Sequence, residues 1–306
     1  MPLRYDHFVF NGVTMKFSFL PDDKSFEFSS IKIAPVSKFD DVLKGFYQSV
    51  HVSNGWFYGP EQELKKSPTE NTKFKNRGPI NCVPFFKIDP THEITSNSCT
   101  DEHLRFLILS YGFLQGLYLT PEGYSYLGRT AYKPGKLNGL LMSGNDYANG
   151  METINKFYTS SNLEQRNQMF ACIHWFLLGQ SHHFEWDQFE AQYKVLDGLY
   201  NLAGVKAKYH AGRPVELAKK YNLKLPLWAE LDSTGKRSTL SIQRNELFHE
   251  AKYGGHPIGY SYPEENYSLE FVSFNTKLIA ATLGIDTPYL SADPTNRDYW
   301  AWDIKA

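Results

Sequence analysis

Apolar positions change period along this chain, and the change divides it in two. Near the N-terminus, Phe8-Val9-Phe10 and the Asn11-Gly12 dipeptide precede Val13 to Leu20, where Met15, Phe17 and Phe19 alternate with Thr14, Lys16 and Ser18. A period of two around Asn-Gly predicts a β-hairpin. Pro21 to Ser25 reads as the next turn. Phe26 to Ile33 reads as a third strand whose apolar phase slips between Phe28 and Ile31, which predicts a bulge. Further short strands are expected near 46–58 and 83–95, with an exposed loop over 59–79.

At Thr100 the period becomes helical. Thr100-Asp101-Glu102 offers an N-cap and an acidic first turn before an apolar run through Leu117. Gly112 and Gly116, four apart on that helix, predict close packing against another element. A turn-rich connector is expected over 120–150, followed by helices at 162–180, 186–203, 213–222, 239–252 and 267–283. The longer ones carry apolar residues at three and four spacing, such as Phe170, Trp175, Leu177 and Leu178. The expected class is α+β: a β-rich N-terminal domain with a helical connector over 1–155, then an all-α bundle of four to five helices over 156–306. Trp300-Ala301-Trp302 is expected to dock the tail onto the fold.

Composition narrows the function classes. A chain of 306 residues, 42% hydrophobic and 16% aromatic, has ample material for a core and excludes disorder. The most apolar stretch, Leu104 to Leu119, falls short of the roughly 20 residues that span a bilayer and carries Arg105 and Gln115, so it reads as a core helix. Met1 to Val13 lacks the pattern of a secretory signal, and Cys82, Cys99 and Cys172 suit reduced thiols, so the expected compartment is the cytoplasm, with no membrane partner. Net charge is −1, so nucleic-acid binding needs a local basic surface. Val205 to Tyr253 supplies one, with ten Lys or Arg against five acids.

Within that segment runs Gln243-Arg244-Asn245-Glu246-Leu247-Phe248-His249-Glu250. An arginine can bind non-bridging phosphate oxygens in bidentate fashion, an asparagine can orient the same centre, and a histidine can exchange a proton near neutrality. On an ideal helix, Arg244 and His249 diverge by about 140° and stand about 7.5 Å apart along the axis. That divergence argues for a groove shared by two packed helices, as in a two-fold dimer. Lys206, Lys208, Lys236, Arg237 and Lys252 are the basic residues expected to steer a polyanionic phosphodiester toward it. His174, His182 and His183 near Glu185 lack metal-ligand spacing, and the chain has no Gly-rich phosphate loop, so neither a metal nor a nucleotide cofactor is expected.

The Arg-polar-x-x-x-His motif at 244–249, late in a helical bundle, resembles the signature of the HEPN superfamily. Its Arg-Asn form, followed by Glu250-Ala251-Lys252-Tyr253-Gly254-Gly255, is most similar to the ApeA-like HEPN branch. The likeness covers about residues 156–290 and includes Gln192-Tyr193-x-x-Leu196-Asp197 on the preceding aromatic helix. Chance alone gives about 0.02 Arg-Asn-x-x-x-His motifs in a chain of this composition. Arg166-Asn167 fails the pattern because Ala171 stands where the histidine would be. The resemblance implies a metal-independent endoribonuclease acting as a toxin or phage-defence effector. Its catalytic residues would be Arg244, Asn245 and His249, its mechanism 2′-hydroxyl attack, its assembly a homodimer through the motif-bearing helix, with an antitoxin or trigger protein that the sequence does not name. Two alternatives stand beside it: a non-catalytic RNA- or protein-binding module, and a sensor whose N-terminal aromatics, Phe46, Tyr47, Trp56, Phe57 and Tyr58, receive a ligand.

Overall fold

The computed structural model describes residues 12–58, 88–121, 129–140, 146–259 and 267–293. Residues 8–11, the whole 59–79 loop, Cys82, the start of the 83–95 strand and Trp300-Ala301-Trp302 lie outside them. The α+β class is as the sequence indicates, with strands at the front and helices behind.

The front builds an antiparallel sheet in the order β1-β6-β3-β2, from β1 (Val13–Phe17), β2 (Phe26–Phe28), β3 (Ile31–Pro35) and β6 (His92–Ser96). The expected bulge is instead a hairpin. Phe28 pairs with Ile31, and Ser29 and Ser30 between them have φ of 42° and 59°. Two consecutive left-handed residues make a tight turn whose twist matches the flanking strands, and the alternation restarts on the far side. A helix, α1 (Phe39–Tyr47), then precedes and just enters the stretch 46–58 read as strand, where only β4 (Val52–Ser53) and β5 (Trp56–Tyr58) are extended. Its signal is visible in retrospect: Phe39, Leu43 and Phe46 keep helical spacing, with Asp40 and Asp41 in the first turn.

Helix α2 (Asp101–Gln115) starts where Thr100 Oγ1 accepts the His103 N–H at 3.3 Å and stops at Gly116, whose φ is 64°. It is buried along nearly its whole length. A side chain at Gly112 would collide with the Leu117 carbonyl, and one at Gly116 with that of Leu137, so both glycines permit close packing. β7 (Arg129–Ala131) completes a second sheet, β4-β5-β7.

α3 (Asp146–Ser160) begins inside the expected connector, and the 155/156 boundary falls within it. α4 (Leu163–Gly179) opens with a capping box between Asn162 and Gln165, and α5 (Glu185–Ala203) returns against it. α6 (Arg213–Tyr221), α7 (Thr239–Asn245), the hairpin β8 (Lys252–Tyr253) with β9 (His256–Pro257), and α8 (Ser268–Leu283) follow. One apolar core runs from Phe17 and Ile94 in the front sheet through Leu107 and Phe113 of α2 to Phe176, Leu196 and Phe274 behind. Polar clamps tie the halves together. Tyr118 Oη and His174 Nδ1 are 3.0 Å apart, which gives His174 a structural partner, and Arg129 donates to the carbonyls of Ser181 and His182, each at 3.0 Å.

Of the front aromatics, Phe46 and Phe57 are buried and stacked. Trp56 is covered by Arg129, whose guanidinium lies 4.1 Å from its ring centroid; Tyr47 and Tyr58 are exposed. Packing accounts for the first three. Among the described residues, no helix is long and apolar enough to cross a membrane.

Candidate functional site

The motif begins on α7, which Ser238 starts by capping the Ser241 N–H while Ser241 Oγ answers the Ser238 N–H. Leu240 is buried and anchors the helix, and Gln243 accepts a hydrogen bond from Tyr267 Oη behind it. At Glu246 the helix widens. Glu246–Glu250 is a π turn, closed by the Ala251 N–H on the Glu246 carbonyl, with Ala251 itself left-handed at φ 52°. Bonding five residues back in place of four adds a residue to the turn, so side chains five apart come onto one face.

This overturns the divergence expected on an ideal helix. Arg244 Nη1 lies 3.0 Å from His249 Nε2 and 3.1 Å from Asn245 Oδ1, so the three motif residues form one hydrogen-bonded group within a single chain. The guanidinium can only donate, so Nε2 of His249 accepts and the neutral ring carries its proton on Nδ1. The hairpin after the motif is fastened to it. Glu246 accepts the Gly255 N–H at 2.9 Å, and Gly254 and Gly255, both with positive φ, turn the chain between β8 and β9.

Arg244 is half-buried, with its Nε sealed from solvent and unpaired. Its guanidinium lies 4.9 Å from the centroid of the Phe248 ring and 5.9 Å from that of Tyr193 on α5. Among the described residues no carboxylate pairs with it. An arginine held by ring faces and neutral acceptors keeps its positive charge available to an anion, which distinguishes it from an interface arginine spent on an acid. His249 and Asn245 are exposed beside it.

The sequence reading missed further groups. Tyr193, Asp197 and Tyr200 share one face of α5. Arg213, the first residue of α6, bonds Asp197 Oδ1 at 2.5 Å and lies 5.0 Å from the Tyr200 ring centroid. Burial, then the Asp197 charge, pushes the Tyr193 phenol up to about 12, with Arg244 and Arg213 pulling the other way. In the sequence, Tyr193 and Tyr200 belong to the apolar spacing of their helix and Asp197 to the resemblance. His210-x-x-Arg213, ahead of Pro214 at a helix start, was a readable signal for the remainder.

The basic residues are spread over the surrounding loops. Lys206 and Lys208 are exposed between α5 and α6, and Lys236 and Arg237 are exposed in the turn before α7, where Asp232 accepts their backbone N–H groups. Lys252 is paired with Glu250 at 2.9 Å, so its charge is partly neutralised. Burial pushes the Cys172 thiol up to about 12, which leaves it inert as a nucleophile. Among the described residues no group of three or more His, Cys, Asp or Glu could hold a metal ion. Compared with known proteins, the chain matches no family model, no curated sequence and no solved structure.

Proposed function

We propose that this chain is a metal-independent endoribonuclease of the HEPN superfamily, ApeA-like branch. The observation that carries the reading is the π turn, which joins a half-buried Arg244 to exposed Asn245 and His249 in one hydrogen-bonded group, with no carboxylate paired to the arginine among the described residues. Arg244 and Asn245 hold the scissile phosphate, and His249 moves a proton as the ribose 2′-hydroxyl attacks phosphorus. The products are a 2′,3′-cyclic phosphate and a 5′-hydroxyl. DNA, lacking the attacking group, is not cut. Activity of this kind suits a cytoplasmic toxin or phage-defence effector, held in check by an antitoxin or awaiting a trigger.

A homodimer through the motif-bearing segment remains part of the proposal, on a different ground. Ile242 and Phe248 expose apolar surface there, at 46% and 42%. The test is direct. Purified protein is incubated with mixed RNA, with and without chelator, beside Arg244→Ala and His249→Ala. Cutting should survive chelation, leave cyclic phosphate ends and vanish in both variants. Chelator-sensitive cutting, or cutting indifferent to both substitutions, would return the motif to a binding role.

A further inference from the structure

In the displacement proposed above, one proton leaves the attacking hydroxyl and another must reach the departing oxygen. His249 alone would have to serve both. The segment between α5 and α6 brings a second imidazole to the same place. His210–Gly212 is a single 3₁₀ turn, and the Arg213 N–H donates to the His210 carbonyl. Side chains three apart on such a turn eclipse, so His210 and Arg213 project together.

Where they project is fixed by Arg213, whose guanidinium sits on Asp197 and beside Tyr200. One turn earlier on the same face of α5, Tyr193 lies beneath Arg244. The two guanidinium groups therefore meet one stripe of α5, on which Tyr193 and Asp197 are one turn, about 6 Å, apart along the axis. The 3₁₀ turn also packs against α7, which closes the cluster around Arg244. Three charged groups face His210: Arg213 from its own segment, Arg244 from α7 and Asp197 from α5.

We infer that His210 and Arg213 form a second arginine–histidine pair of the same site, so that one subunit carries both proton-transfer groups of the reaction. The inference rests on the endoribonuclease reading. His210 takes the 2′-hydroxyl proton as the bond from O2′ to phosphorus forms. The bond from phosphorus to O5′ breaks, and protonated His249 gives its proton to O5′. A phosphate that takes over the Arg244 donors frees Nε2 of His249 to hold that proton. Arg213 and Arg244 share the charge on the phosphate oxygens, and solvent exchange resets the two imidazoles. The environment suits this assignment: burial, then Arg213 and Arg244, lower the pKa of His210 against a smaller opposing effect of Asp197, so the ring is an acceptor at neutral pH.

Two measurements on the full chain test it. Histidine titrations followed by NMR should give His210 a midpoint below the usual histidine value, higher in Arg244→Ala and higher again with inorganic phosphate. A His210 midpoint that ignores both the substitution and phosphate overturns the inference. In the second, His210→Gln should lower kcat on RNA by about 10²-fold or more with KM little changed, and should remove the acid limb of the pH–rate profile. Because His210 is exposed, this variant folds. If wild-type protein cuts RNA, His249→Ala does not, and His210→Gln keeps the wild-type kcat and acid limb, only the second pair is wrong. If wild-type protein cuts no RNA, the endoribonuclease reading fails and this inference falls with it.

Discussion

At the scale of single residues, the site depends on what a guanidinium can do that another cation cannot. Arg244 donates to Asn245 and His249 from one nitrogen while its guanidinium lies over the rings of Tyr193 and Phe248. A lysine would keep the charge and lose the planar fork, so it could not serve Asn245, His249 and a phosphate from one delocalised plane. Arg244→Lys is therefore expected to lower kcat/KM on RNA by about 10²-fold, close to the effect of removing one transition-state donor, while leaving thermal stability nearly unchanged. Steady-state kinetics beside a melting curve checks this, and a variant with near wild-type kcat/KM would mean that Arg244 supplies charge alone. The residue types of the site were legible in the sequence, because Arg-Asn-x-x-x-His is rare enough to notice. Their contact was not. It depends on a backbone hydrogen bond from Ala251 to Glu246, and no side chain in the motif announces that bond.

Helices and turns show the same division between what pattern carries and what it hides. The start of α2 was readable because the Thr100 cap is written in side-chain chemistry, whereas its left-handed stop at Gly116 lay hidden inside an apolar run that continues through Leu117. The Ser29-Ser30 turn was not, since its backbone asks for Asn-Gly and the chain supplies two serines, leaving only a phase slip. The π turn ends similarly, on a left-handed alanine at position 251. Both places put L-residues where glycine is at ease, at a cost of about 1 kcal/mol each. Ala251→Gly should thus stabilise the protein by up to about 1 kcal/mol in denaturant melts, whereas Ala251→Val should destabilise it by more than that. If the β-branched residue were tolerated without loss, the left-handed closure of the π turn would be wrong, and with it the 3.0 Å contact between Arg244 and His249.

For the whole molecule, the question is whether the front sheet and the helical back answer to one equilibrium. The sequence suggested two domains because 306 residues exceed a typical single domain and a turn-rich connector over 120–150 precedes the helical back, yet length and local pattern say nothing of which faces pack together. α2 belongs to both halves: its apolar residues join a single core that holds Ile94 of β6 and Phe274 of α8. His92 of β6 offers a way to load that core from one end. Its ring is fully buried between Phe17 and Phe39, with Nε2 unpaired. Burial lowers its pKa to about 4, against a weaker opposing pull from Asp22 and Asp23. The unfolded chain takes up the proton near pH 6.5 and the folded one only near 4, so stability from this group is intact above 6.5, falls as pH drops through that window, and changes no further below it. The loss amounts to about 3 kcal/mol. In His92→Leu that part of the acid sensitivity should vanish, as read from denaturant midpoints between pH 6.5 and 4. Hydrogen exchange at the same pH values should show amides of β6 and of the distant α5 losing protection together in the wild-type protein, because a penalty placed in the sheet is transmitted through α2 to the helix that carries Tyr193 and Asp197. Exchange that accelerates in β6 while α5 stays protected would mean that the front half opens by itself, and the domain boundary read from the sequence would then describe the energetics even though a continuous core crosses it.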